Sequence, residues 1–271
     1  MQLTDFARKV PEDVWALFEP ILPPVVWCGN GCPPYDNREC RHAVLYVLVT
    51  GIGGQMLPPG FPSSKTVQRR LTVWLQQDAF RRAWQQLAQR YEALQGINWE
   101  EVLLDGSKKP AKKGARRLAP APWIAANAGR RCTEPVTHGP CRWGVVVTGA
   151  TANDGCQTEA VLHALVVHPP AAESLVPCVD PRSFPRVQAD GAYGNGPTQE
   201  RARRAGFRLQ APRRGKAQPG VGTIRNAVER CHNFFAQFGR VFRRFDRSGR
   251  RYLGWLELAA CIILLRSGFV S

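Results

Sequence analysis

No stretch of the chain approaches the roughly 18 uncharged apolar residues that a membrane-crossing helix requires. The opening MQLTDFARKVPEDVW lacks the apolar centre of a secretory signal, so the expected location is the cytoplasm. Cysteine is present without a framework: nine residues, an odd number, at spacings typical of neither a disulfide scaffold nor a zinc knuckle. That pattern fits reduced thiols used mainly as small core residues. Acidic residues are scarce, 21 Asp and Glu against 37 Lys and Arg, for a net charge of +16. A surface this basic seeks a polyanion, and most of the cations are arginines, whose planar fork matches phosphate. Nucleic acid is the expected partner. With 44% hydrophobic residues, the 271-residue chain can still bury a sizeable core.

Up to about Tyr91 the sequence reads as helices broken by Pro and Gly. Thr4 or Asp5 opens a first helix, 11–18 forms a second and 36–50 a third, stopped by Gly51, Gly53 and Gly54. Ser63 or Ser64 then caps a helix with Lys65, Gln68, Arg69 and Arg70 on one side and Val67, Leu71 and Trp74 on the other. Asp78 begins the next. A short helix with basic and amide side chains, closely followed by another, is what a helix-turn-helix DNA reader needs.

From Asn98 the texture becomes α/β. WEEVLLD (99–105) and RVQAD (186–190) each read as a strand ending in a carboxylate, and 142–150 and 207–211 read as further strands. Residues 107–131 form a Pro/Ala/Gly-rich loop that carries Lys108, Lys109, Lys112 and Lys113, a density of charge suited to an arm or a phosphate-binding loop. Asp154 is expected to cap a helix over 155–167. A basic helix follows at 197–205, then a long amphipathic helix over 223–247, and a closing apolar helix holds Trp255 to Leu264. On the long helix Arg225, Glu229 and His232 share one side.

Asp105 and Asp190 fall at the carboxyl ends of strands, the edge where open α/β sheets build their sites. Glu229 comes from a helix that must pack beside the same sheet. Three carboxylates brought together there need a cation, because like charges raise one another's pKa. Hard oxygen ligands suit Mg²⁺ or Mn²⁺, and two such ions serve in-line phosphoryl transfer. Asp246, set among arginines, reads as a surface ion-pair partner.

The blocks VLLDGSKKPAKKG, WGVVVTGATANDG, VQADGAYG and RNAVERCHNFFAQFGRVFRRFDRSGRRY, in that order, resemble those of DDE transposases of bacterial insertion sequences of family five, within the family four superfamily. LPP, YDNRE, AVLYVLVTGIGGQMLP and TVQRRLTVW resemble that family's helical DNA-binding region. The resemblance implies an RNase H-like catalytic domain with a mixed central sheet over 97–271, after an all-α DNA-binding domain over 1–95. It implies Asp105, Asp190 and Glu229 as metal-binding carboxylates for two Mg²⁺ or Mn²⁺ ions. Tyr193, Arg225, Arg230 and Arg240 match positions that act on DNA. The implied activity is cleavage and joining of DNA strands at terminal inverted repeats, on the bacterial chromosome, by at least a dimer when two ends are paired. The alternative is a non-catalytic DNA-binding protein derived from such an enzyme. The chain departs from the pattern at Gly239, where one Arg of a pair is usual, and at Ala236, where a Lys is usual.

Overall fold

Two of the expected N-terminal helices begin at their expected caps, Asp36 and Ser63, whereas the helix expected from Thr4 or Asp5 lies outside the described residues. The computed structural model of the protein describes residues 12–97, 99, 102–107, 121–126, 142–148, 153–169, 184–212 and 231–267. Among the described residues four α-helices lead: α1 Glu12–Phe18, α2 Asn37–Thr50, α3 Ser64–Gln76 and α4 Ala79–Gln95. The Asp36 carboxylate caps α2 by accepting from the Glu39 amide at 2.7 Å, and Ser63 caps α3 by accepting from the Thr66 amide at 3.3 Å. These side chains satisfy amides that the first helical turn leaves without partners. Gly51 ends α2 in the left-handed region (φ 72°) and donates back to the Val47 carbonyl.

The strands are β1 Val102–Ser107, β2 Ala121–Ala126, β3 Arg142–Val145, β4 Arg186–Ala189 and β5 Arg208–Gln210. They form one mixed sheet in the order β3-β2-β1-β4-β5. β1 and β2 pair antiparallel, as do β2 and β3, whereas β1 pairs parallel with β4, and β4 with β5. Between β3 and β4 lie a 3₁₀ turn, Asp154–Gln157, and α5, Thr158–His163; α6, Gly196–Arg204, makes the crossover to β5. The architecture is mixed helix and sheet, as the alternation predicts.

Several expectations are corrected: the strand expected over 142–150 is β3 and ends at Val145, and the strand expected to end at Asp105 is β1 and runs on to Ser107. Residues 121–126, assigned to a basic loop, are β2 in the middle of the sheet. Pro122 is tolerated there because it opposes Gly106 of β1, and β3 pairing begins only at Trp123. The cap before the 3₁₀ turn is Asn153, whose Oδ1 accepts from the Gly155 amide at 2.9 Å, and the helix that follows stops at His163. The long amphipathic helix also ends early. Residues 231–236 are helical, the chain breaks at 237–238, and a separate short helix, α7, covers Gly239–Phe242.

The break has a packing cause. A Cβ on Gly239 would lie 2.7 Å from the Thr50 carbonyl carbon, and one on Gly51 would lie 2.6 Å from the Gly239 carbonyl carbon. Backbone meets backbone where α7 crosses the end of α2, and only glycine on both sides permits it. The last helix, α8 Gly249–Arg266, packs chiefly on α4 and also on α3. Residues 254–264 are buried without interruption. Helix α8 therefore closes onto the N-terminal helices α3 and α4. The ring of Tyr91 of α4 meets that of Trp143 of β3 at a tilt, with centroids 5.4 Å apart, which joins this helical layer to the sheet in one core. Among the described residues, no helix is long and apolar enough to cross a membrane.

Candidate functional site

Leu104 of β1 is in register with Ala189 of β4, and the next residues are Asp105 and Asp190. Continued one step past the paired residues, that register would bring the two aspartates side by side, one strand spacing or roughly 5 Å apart at the backbone. The apolar runs on both strands anchor them: Val102, Leu103, Leu104, Val187 and Ala189 are all buried. Asp105 is 26% exposed, and Asp190 is exposed. Asp190 Oδ1 accepts from the Ala192 amide at 2.9 Å, and the Tyr193 amide donates to the Asp190 carbonyl at 3.1 Å, so a tight turn fixes the carboxylate at the strand end.

His232, on the 231–236 helical segment, reaches this edge. Its Nε2 lies 2.9 Å from Asp105 Oδ2, across 127 residues of sequence. Cys231 and Phe235 of the same segment are buried and hold it in place. His232 stands three residues after Glu229 in the sequence, but nothing there pairs it with Asp105, and it was not among the expected site residues. Glu229, Arg225, Arg230, Lys108, Lys109, Lys112 and Lys113 lie outside the described residues. Among the described residues, no group of three or more His, Cys, Asp or Glu side chains is assembled to hold a metal ion.

The expected DNA-contacting residues divide by their surroundings. Lys65, Gln68 and Arg69 are exposed along one face of α3. Arg70 turns inward instead, donating to Asn37 Oδ1 and the Tyr35 carbonyl, both at 3.0 Å, and so ties α3 to the start of α2. Tyr193 is 1% exposed, a core side chain and not a surface one. Arg240 grips Asp246 with two hydrogen bonds, Nε to Oδ2 at 3.1 Å and Nη2 to Oδ1 at 2.9 Å. Asp246 is itself 4% exposed, so the expected surface pair is a buried one. Arg244 beside it is buried over the Tyr252 ring, and burial holds its guanidinium below the usual range.

The candidate site thus draws on Asp105, within β1, and Asp190, just past the end of the neighbouring parallel strand β4, in a mixed sheet joined to a basic-faced helical layer. The sequence model of a family described as "Putative transposase of IS4/5 family" matches residues 10–84, from α1 into α4. An "Insertion element IS402 uncharacterized 16.2 kDa protein" of Burkholderia cepacia is 30% identical over 121 residues, covering 43% of this chain and 82% of that protein. The chain belongs to the IS4/5 family of transposases. No solved structure matches it.

Proposed function

We propose that the protein is a DNA transposase that binds the terminal inverted repeats of an insertion sequence, cleaves DNA there and transfers the freed strand to a target. The observation that best supports this reading is the β1–β4 register, which pairs Leu104 with Ala189 and, carried one residue further, would bring Asp105 alongside Asp190. Two carboxylates brought together there would offer the hard oxygen donors that Mg²⁺ or Mn²⁺ prefers. Glu229 is the third ligand in this reading. It precedes His232 by three residues, one helical turn, and the contact of His232 with Asp105 supports its presence at the same edge. Two divalent ions held there would lower the charge on the reacting phosphate and stabilise the attacking and leaving oxygens. The mixed sheet, with its antiparallel edge and its parallel crossovers, supports an RNase H-like catalytic domain over 97–271.

Water first attacks the phosphorus at the end of the element, and the 3′ oxygen leaves as a hydroxyl. That hydroxyl then attacks a target phosphodiester and displaces its 3′ oxygen. No residue of the chain bonds covalently to DNA in either step. The helical region over 1–95 serves as the DNA reader, with Lys65, Gln68 and Arg69 on α3 as its exposed contacts, and at least a dimer pairs two ends. His232 orients the Asp105 carboxylate through its Nε2 contact.

The test is strand cleavage of a labelled duplex carrying the flanking inverted repeat, in Mg²⁺ or Mn²⁺, by the parent and by Asp105→Ala and Glu229→Ala. The parent should cut at the repeat boundary, and both variants should still bind the repeat but leave it intact. Cutting by Asp105→Ala would refute the assignment. Repeat binding without cutting by the parent would identify a DNA-binding protein instead.

A further inference from the structure

The segment that follows α7 turns back to α3 and builds a groove there. A cavity of about 500 Å³ opens between the C-terminal half of α3 and residues 245–251. Two arginines of the first turn of α8 form its wall. Arg250 donates to the Leu75 carbonyl at 2.9 Å and to the Gln76 carbonyl at 3.1 Å, closing the end of α3. Arg251 donates to Thr72 Oγ1 at 3.1 Å. The acid lining the groove, Asp246, is buried and neutralised by Arg240. Arg247 stands exposed on the rim, with no hydrogen-bond or ion-pair partner among the described residues.

This groove continues the polar face of α3. Lys65, Gln68, Thr72 and Gln76 recur at three- and four-residue steps, so one side of the helix runs from the exposed Lys65 into the wall of the groove. From Lys65 to Gln76 the helix rises about 16 Å, more than the roughly 12 Å width of a DNA major groove. A helix seated in that groove by its first turns therefore carries its last turn over the flanking sugar-phosphate backbone, where Arg247 and Arg251 stand.

We propose that Arg247, Arg251 and the C-terminal half of α3 form a phosphate-binding groove for the backbone of duplex DNA. This rests on the transposase reading and extends it: the DNA-contacting surface is shared between the first helices and the chain's end. Arg240, held by Asp246, shapes the groove and does not contact DNA.

The experiment is anisotropy titration of a labelled repeat-bearing duplex with the full chain over a salt series. The proteins are the parent, Arg247→Ala, Arg247→Ala/Arg251→Ala, Arg251→Lys and Arg203→Ala. Arg203 is an exposed arginine of α6, which packs on α5 and β5. Each arginine lost from the groove should reduce the slope of log K against log salt by about 0.9. Arg251→Lys, which keeps the charge, and Arg203→Ala should retain the parent slope. Arg247 is exposed and unpaired among the described residues, so its alanine variant folds and carries the test if the double variant does not. An unchanged slope in Arg247→Ala, or an equal fall in Arg203→Ala, would overturn the groove while leaving the transposase reading intact. A parent that binds no DNA would overturn both.

Discussion

Glu257 is the one acidic residue of α8, and it lies within the uninterrupted buried run 254–264. Burial pushes its pKa up from 4.5 to about 8, and the proximity of Asp78 adds to the rise; Arg81 and Arg250 pull the other way without cancelling it. Arg81 is at 4.0 Å, the outer limit of an ion pair, and it also donates to the Ala164 carbonyl at 3.2 Å. The buried thiol of Cys261, itself pushed up by burial, stays neutral and adds no counter-charge. The folded protein therefore holds a proton on Glu257 that the unfolded chain releases above pH 4.5. Because the folded pKa is the higher one, this contribution to stability is complete below about pH 4.5 and is lost as pH rises towards 8.

Within that window the loss is about 1.4 kcal/mol per pH unit, hence roughly 2.7 kcal/mol between pH 5.5 and 7.5. The slope does not depend on the precise pKa so long as it stays above the window. Glu257→Gln keeps the shape of the protonated acid and cannot ionise. Urea unfolding of parent and variant at pH 5.5, 6.5 and 7.5, at one ionic strength, isolates the effect, since every other titrating group is common to both. The variant's stability relative to the parent should rise by about 1.4 kcal/mol per unit across the series. A difference independent of pH would mean that the carboxylate is ionised and paired with Arg81, and would refute the reasoning.

Gly239→Ala should destabilise the fold by about 1–3 kcal/mol, because the new methyl group meets backbone of Thr50 that no rotamer change can move; thermal unfolding checks this, and an unchanged midpoint would show that α7 does not touch α2 so closely. Asp246→Ala leaves the guanidinium of Arg240 only 12% exposed and without its carboxylate, at a cost of about 3–5 kcal/mol in denaturant unfolding. Restoring neutrality with Arg240→Met/Asp246→Leu should recover most of that loss; a double variant as unstable as the single one would mean that packing, not charge, sets the cost.

Most of the helices were legible because their signals are local. Asp36 and Ser63 stand where α2 and α3 begin, and Gly51 stands where α2 ends. β1 and β4 were legible as apolar runs that lead to a carboxylate, although β1 continues through Asp105 to Ser107 and only β4 stops just before its aspartate. β2 was not legible. Its composition, APWIAA, is that of a loop, and it is a strand because β1 and β3 supply partners on both sides. The end of the 231–236 helix was hidden in the same way. Phe238 and Val241 continue the helical period of Cys231 and Phe235, and all four are buried. What interrupts the helix is the contact of Gly239 with Gly51, 188 positions away.

The residues misread in the last block share one physical cause. Arg240 and Asp246 have the composition of a solvated surface, yet they lie between α7, α3 and α8, where charges must satisfy one another. A charge-rich block fits such a place only if it carries its own counter-ion, and Asp246 is that counter-ion for Arg240. Arg247, one residue further on, lies beyond that enclosure and keeps its charge towards solvent. The same four-residue stretch, Arg244 to Arg247, thus fastens the chain's end to the N-terminal helices with its buried members and offers a cation with its last. A DNA surface built from both ends of the chain would therefore be lost as a unit if Asp246 were removed: Asp246→Ala should weaken duplex binding as well as stability, whereas Arg247→Ala should weaken binding alone.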